Sequence, residues 1–152
     1  MKKFLILVFL IFLDLFIKNL VFNSIYLNNF IPITSFFDLA HIHNYGISFG
    51  LFSGFITSWI IVVISSLITL FIFYLYFQSN NILEKWAYFA IIAGALSNII
   101  DRGINGYVLD YLYFHYKEFY WPAFNFADIY ITVGILILII QLLNDGRKKV
   151  IK

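Results

Sequence analysis

Asp110 and Asp128 stand 18 positions apart in a chain otherwise built for lipid. Two carboxylates held close together in a low dielectric cannot both ionise easily, so they share a proton. One then acts as base toward a water molecule while its protonated partner polarises a carbonyl, which is the chemistry of aspartic peptide hydrolysis. Other chemistries have less to work with. The chain has no Cys, which removes a thiolate nucleophile, disulfides and Cys-ligated metal. His41, His43 and His115 lack the HExxH spacing of a zinc helix, and neither Ser48 nor Ser97 lies in a GxSxG elbow, so zinc and serine mechanisms have no support. Each aspartate also has a plainer reading. Asn125 is placed as a helix N-cap with Asp128 three residues on, where a carboxylate favours the helix dipole, and Asp110 reads equally well as a solvated loop acid.

Three further groups of polar residues stand in apolar surroundings. Asn98, Asp101 and Arg102 lie at i, i+3 and i+4 on one helical face, with Gly94 one turn below. They read either as an acid–base pair at a helix end beside a small packing residue, or as the polar wall of a site. Asp14 and Lys18, at i and i+4, suit an internal ion pair facing a helix bundle. Asn44-Tyr45-Gly46 has the composition of a turn. At this level a hydrolase built on Asp110 and Asp128 competes with a small transporter or assembly subunit that conducts protons or ions past Asp14, Lys18, Asp101 and Arg102.

The elements that must position these residues are membrane elements. Of 152 residues, 62% are hydrophobic and 12% charged, with mean hydropathy +0.91; a soluble domain is about 45–50% apolar and about 25% charged. Such a chain needs the bilayer as solvent. The net charge of +2 forms no basic face for nucleic acid. Four apolar stretches, about 4–22, 57–77, 86–104 and 124–143, have spanning length. The first begins like a signal peptide, but its apolar run is too long, no small-x-small cleavage site follows, and Asp14 and Lys18 interrupt it, so it is expected to be retained as a span. Lys2, Lys3, Arg147, Lys148, Lys149 and Lys152 flank the ends, Lys85 sits between spans two and three, and 23–56 has no Lys or Arg. The expectation is an all-α membrane protein of one domain, 1–152, with both termini cytoplasmic. The outer segment 23–56, with Pro32, β-formers and several glycines, is expected to form short strands on the membrane surface. The outer loop 105–123, with Tyr111, Tyr113, Tyr116, Tyr120 and Trp121, is expected as an aromatic belt.

Taken together, the motifs resemble those of the lipoprotein signal peptidase (signal peptidase II) family. Asp14-Leu-Phe-Ile-Lys18 is like D-x-x-x-K; His43-Asn44-Tyr45-Gly46-Ile47-Ser48-Phe49-Gly50 is like N-x-G-x-x-F; Gly94-Ala95-Leu96-Ser97-Asn98-Ile99-Ile100-Asp101-Arg102 is like G-A-x-G-N-x-x-D-R. Val108-Leu109-Asp110-Tyr111 is like V-x-D-F, and Trp121-Pro122-Ala123-Phe124-Asn125-Phe126-Ala127-Asp128 is like W-P-x-F-N-x-A-D. Five motifs in order span nearly the whole chain. Ser97 departs from the family's usual Gly, and Ile129 stands where a Ser is common; neither change touches an aspartate.

The resemblance implies four spans and a catalytic dyad at Asp110 and Asp128. It also implies an inner-membrane peptidase with its site facing outward, cutting a diacylglyceryl-modified bacterial prolipoprotein just before the lipidated Cys. By the same resemblance, Asn44, Gly46, Asn98, Arg102 and Asn125 bind substrate or support the dyad, Asn44 and Arg102 holding substrate backbone and Asn98 and Asn125 orienting the carboxylates. Asp14, Lys18 and Asp101 are expected to be structural. The implied enzyme is a monomer without cofactor or metal, cradled by its outer β segment and blocked by globomycin-type antibiotics.

Overall fold

A computed structural model describes residues 1–47 and 54–150, with residues 145–150 as backbone only. Ser48, Phe49 and Gly50 of the outer motif lie outside the described residues, as does Lys152. Among the described residues, four helices are long and apolar enough to cross a membrane: Lys2–Ser24 (α1), Ser58–Gln78 (α2), Ile82–Asn105 (α3) and Phe126–Val150 (α4), the last through its part Phe126–Asn144. Their outward sides carry exposed Phe4, Phe9, Phe12, Leu67, Leu70 and Leu136, the surface that hydrocarbon would cover.

Helix α3 is the least hydrophobic and most buried of the four, and it packs against all three others. It begins four residues before the expected Trp86. Asn81 caps it, its side-chain oxygen accepting from the N–H groups of Leu83 at 2.8 Å and Glu84 at 3.4 Å, so the charges at Glu84 and Lys85 fall in a capped first turn rather than a loop. It ends on Gly106, whose φ of +80° permits the left-handed cap that returns its N–H to the Arg102 carbonyl at 2.9 Å.

Helices α3 and α4 meet along small residues. A Cβ on Gly94 would collide with the backbone oxygen of Ala127, and one on Gly134 would lie 2.6 Å from the Ala87 oxygen. This close approach sets the N-terminal turn of α4, which carries Asp128, directly on the face of α3 that carries Asn98.

The remaining elements form one antiparallel sheet in the order β1 (Phe30–Pro32), β2 (Phe37–Asn44), β3 (Val108–Tyr116) and β4 (Phe119–Tyr120). Segment 105–123, expected as a loop, therefore supplies half of the sheet. β2 and β3 pair Leu39 with Leu112 and then Ile42 with Asp110, so β2 carries one extra residue, a bulge that re-aims the side chains beyond it. Val21 of α1 and Ile25 just after it pack against Leu109 and Tyr111 of β3, tying the sheet to the bundle.

Candidate active site

Asp110 is almost wholly buried as the third residue of β3, so it is not a solvated loop acid. Across the sheet, Asn44 at the end of β2 donates from Nδ2 to Asp110 Oδ2 at 3.0 Å. The Asn44 oxygen accepts the Gly46 N–H at 3.0 Å, which leaves only the amide nitrogen to face the carboxylate. Arg102 holds the same turn from α3, its Nη2 donating to the carbonyls of Asn44, at 3.4 Å, and of Gly46. Asn44, expected to hold substrate backbone, is thus hydrogen-bonded to the Asp110 carboxyl itself.

Asp128 reaches the site from the first turn of α4. Phe124 is pinned to β3: the N–H groups of Tyr111 and Leu112 donate to its carbonyl at 3.0 and 2.8 Å, and its own N–H returns to Leu112 at 3.0 Å. The next residue, Asn125, is fully buried and touches both aspartates. Its Nδ2 donates to Asp110 Oδ1 at 2.6 Å, its oxygen accepts the Asp128 N–H at 3.0 Å, and its own N–H donates to Asp128 Oδ2 at 3.3 Å. Asn98 of α3 completes the set, donating to Asp128 Oδ1 at 2.8 Å while its oxygen accepts from Lys18 Nζ at 2.9 Å. Each of the three amides therefore has its oxygen engaged elsewhere and presents N–H to a carboxylate.

Behind the aspartates lies a second polar layer. Lys18 meets Asp14 at 2.9 Å and Asp101 at 3.2 Å as well as Asn98, giving each ammonium proton an acceptor. Asp101 pairs with Lys18 rather than with its neighbour Arg102, and it accepts the Leu109 N–H at 2.9 Å, fastening the start of β3 to α3. Asp14, from α1, accepts the Ala127 N–H of α4 at 3.2 Å and the Tyr111 hydroxyl at 3.2 Å, while Tyr111 in turn accepts the Phe126 N–H at 3.1 Å. Every N–H in the first turn of α4 is thereby satisfied by a named group, an unusual degree of fixation for a helix start. Tyr111, expected in an aromatic belt, is instead buried against Asp14, and Ser97, read from sequence only as lying outside a serine elbow and as a departure from the family pattern, is buried there too; their one signal is position, next to Asp110 and Asn98.

Burial pushes the Asp110 carboxyl up to about 7, helped by the negative charge of Asp128; the amides of Asn44 and Asn125 and the charge of Lys18 act in the opposite sense. Burial and neighbouring His41 lower the affinity of His43 for a proton, with Asp101 opposing them. His41 and His43 face one another at 2.9 Å on β2, and His115 meets Asp38 at 3.2 Å.

This four-helix fold with its small sheet is that of a multi-pass membrane enzyme. It is similar to two solved structures described as bacterial membrane enzymes studied by the in meso method, at 2.3 and 1.9 Å resolution, with TM-scores of 0.86 and 0.81 and 28% identity to each. They match 97% and 95% of this chain and 91% and 94% of their own. The chain belongs to the signal peptidase II family, whose model matches residues 6–144. The lipoprotein signal peptidase of Rickettsia akari is 40% identical over 80% of this chain and 62% of its own length. That of Francisella tularensis subsp. novicida is 37% identical over 97% and 95%, and that of Thermodesulfovibrio yellowstonii 39% over 87% and 88%.

Proposed function

We propose that the chain is an intramembrane aspartic endopeptidase. Its substrate is a diacylglyceryl-modified bacterial prolipoprotein, which it cuts just before the lipidated Cys. The relatives' shared activity as lipoprotein signal peptidases supports the substrate class. The observation that carries the mechanism is Asn125, which holds both aspartates, with Asp110 pushed up to about 7 so that a shared proton is available at neutral pH.

In this reading one carboxylate takes a proton from water as the water oxygen attacks the scissile carbonyl carbon. The protonated partner hydrogen-bonds the carbonyl oxygen as charge develops there. Collapse of the tetrahedral species breaks the C–N bond, and the Cys nitrogen leaves with a proton from the dyad. Arg102 supports the substrate-holding part: its planar guanidinium already stands against backbone carbonyls, those of Asn44 and Gly46. The lipid on the substrate restricts its search to the membrane plane and raises its effective concentration.

The basic residues at both ends and at Lys85 support cytoplasmic termini, and hence a site on the outer side of the inner membrane. The protein acts as a single-domain monomer without cofactor, and globomycin-type antibiotics block the site beneath the β cradle.

The test is cleavage of a diacylglyceryl-modified lipobox peptide by purified protein in liposomes, beside Asp110→Asn and Asp128→Asn. Cleavage before the lipidated Cys, abolished in both variants while they remain inserted, is the expected result. No cleavage by folded wild type overturns the proposal.

A further inference from the structure

Asp14 is a fully buried carboxylate with four donors, one each from α1, α3, β3 and α4. Lys18 of α1 and Ser97 of α3 reach Oδ2, at 2.9 and 2.6 Å. Tyr111 of β3 and the Ala127 N–H of α4 reach Oδ1, both at 3.2 Å. The shortest of these is the Ser97 hydroxyl, which is itself fully buried and stands where the family pattern has Gly. We infer that Ser97 is a positioning residue for Asp128, acting through Asp14 and Lys18.

The geometry gives two routes from Ser97 to Asp128. Through Asp14 Oδ1, the carboxylate holds the Ala127 N–H, one residue before Asp128. Through Lys18, the ammonium that shares Asp14 Oδ2 with Ser97 also holds the Asn98 oxygen, and so keeps the Asn98 amide nitrogen on Asp128 Oδ1 at 2.8 Å. Without the hydroxyl, a lone pair of a fully buried carboxylate has no protein donor. Lys18 is then drawn toward Asp14 and away from Asn98, the amide is free to turn its oxygen toward Asp128, and the anionic dyad loses a donor. The charged and titratable groups facing this arrangement are Asp14 and Lys18 from α1, Asp101 and Arg102 from α3, Tyr111 beside Asp110 on β3, and Tyr130 on α4.

The inference rests on the peptidase reading, and its test separates the two. Cleavage of the diacylglyceryl-modified lipobox peptide is measured from pH 5 to pH 9 for wild type, Ser97→Ala, Ser97→Gly and Ser97→Thr, with the folded fraction fixed by circular dichroism and thermal melting. Expected is a fall in kcat of about three- to tenfold for the Ala and Gly variants at nearly constant KM. The acid limb of their pH–rate profile moves up by about half a pH unit, and Thr, which keeps the hydroxyl, moves back toward wild type. A role confined to stability would lower the folded fraction and leave the profile of the folded enzyme in place; that result overturns the inference, as does failure of both the Ala and Gly variants to fold. An inactive wild type overturns the peptidase reading and the inference with it, whereas an active wild type with an unmoved acid limb overturns only the role of Ser97.

Discussion

Asn125 and Asp128 cap each other: the Asp128 N–H donates to the Asn125 side-chain oxygen at 3.0 Å, and the Asn125 N–H donates back to Asp128 Oδ2 at 3.3 Å. This reciprocal box begins α4, and the Asn125 amide nitrogen left over is the group that holds Asp110 at 2.6 Å. Helix capping and the holding together of the two aspartates are therefore one arrangement. Asn125→Ala removes the cap, worth about 1 kcal/mol, and a hydrogen bond to a buried carboxylate, worth about 1.5–3 kcal/mol. A lower melting temperature and a fall in kcat of about 100-fold are expected together. Calorimetry beside steady-state cleavage measures both, and a loss of stability at unchanged kcat would show that the cap is its whole role.

The carboxyl of Asp110 links stability to pH with a definite sign. Its proton is held more tightly in the folded protein, up to about 7, than in the unfolded chain at 3.8. The folded state therefore binds more protons between those values, and stability falls as pH rises through that window. The stabilisation is fully present below about pH 4 and lost above about pH 7, by an amount on the order of a few kcal/mol. Melting temperature in detergent, followed from pH 5 to pH 8, should decline in wild type and stay nearly flat in Asp110→Asn, which should also be the more stable protein at pH 8. A wild-type melting temperature that rises over this range would contradict the assignment.

How far sequence anticipates this architecture differs from element to element. The spans are legible because uninterrupted apolar runs have few other uses, and Asn125 with Asp128 three residues on reads as a helix start because capping is local. The start of α3 is harder to read: Glu84 and Lys85 suggest a loop until Asn81 is seen accepting from two N–H groups of the next turn. β3 is harder still. Val108 to Tyr111 are all buried, so the strand shows no alternation, and its register depends on a bulge in β2, more than 60 residues earlier. Asp14 reads as half of an i, i+4 pair with Lys18, which it is. Its hold on Ala127, 113 positions away, follows only from packing α1 against α4.

Gly94 makes the approach of α3 to α4 testable. A methyl group there meets the Ala127 backbone oxygen and, at 2.8 Å, Ile131 Cγ1, so the helices must separate at the residue next to Asp128. Gly94→Ala is expected to lower the melting temperature by several degrees, corresponding to about 1–3 kcal/mol of overpacking, and to reduce kcat with it. Gly103→Ala, in the same helix, meets nothing within 4 Å and should be neutral or slightly stabilising, since Ala is the better helix former. Equal melting temperatures for the two variants would show that the contact at Gly94 relaxes without cost.

Arg102 and Lys are not interchangeable at the turn that carries Asn44. The guanidinium reaches the carbonyls of both Asn44 and Gly46 from a single nitrogen, Nη2, and keeps Nε free of protein partners among the described residues. An ammonium group on a lysine stem is a compact point charge and has no equivalent of the Nε donor. Arg102→Lys should therefore preserve the fold yet loosen the turn that carries Asn44 against Asp110, and it removes the planar guanidinium proposed to hold substrate backbone. The expected result is a rise in KM together with a fall in kcat, each of about tenfold, at a melting temperature within a few degrees of wild type. A change in KM alone would assign Arg102 to substrate binding without a part in orienting Asp110; a change in kcat alone would assign it to the turn.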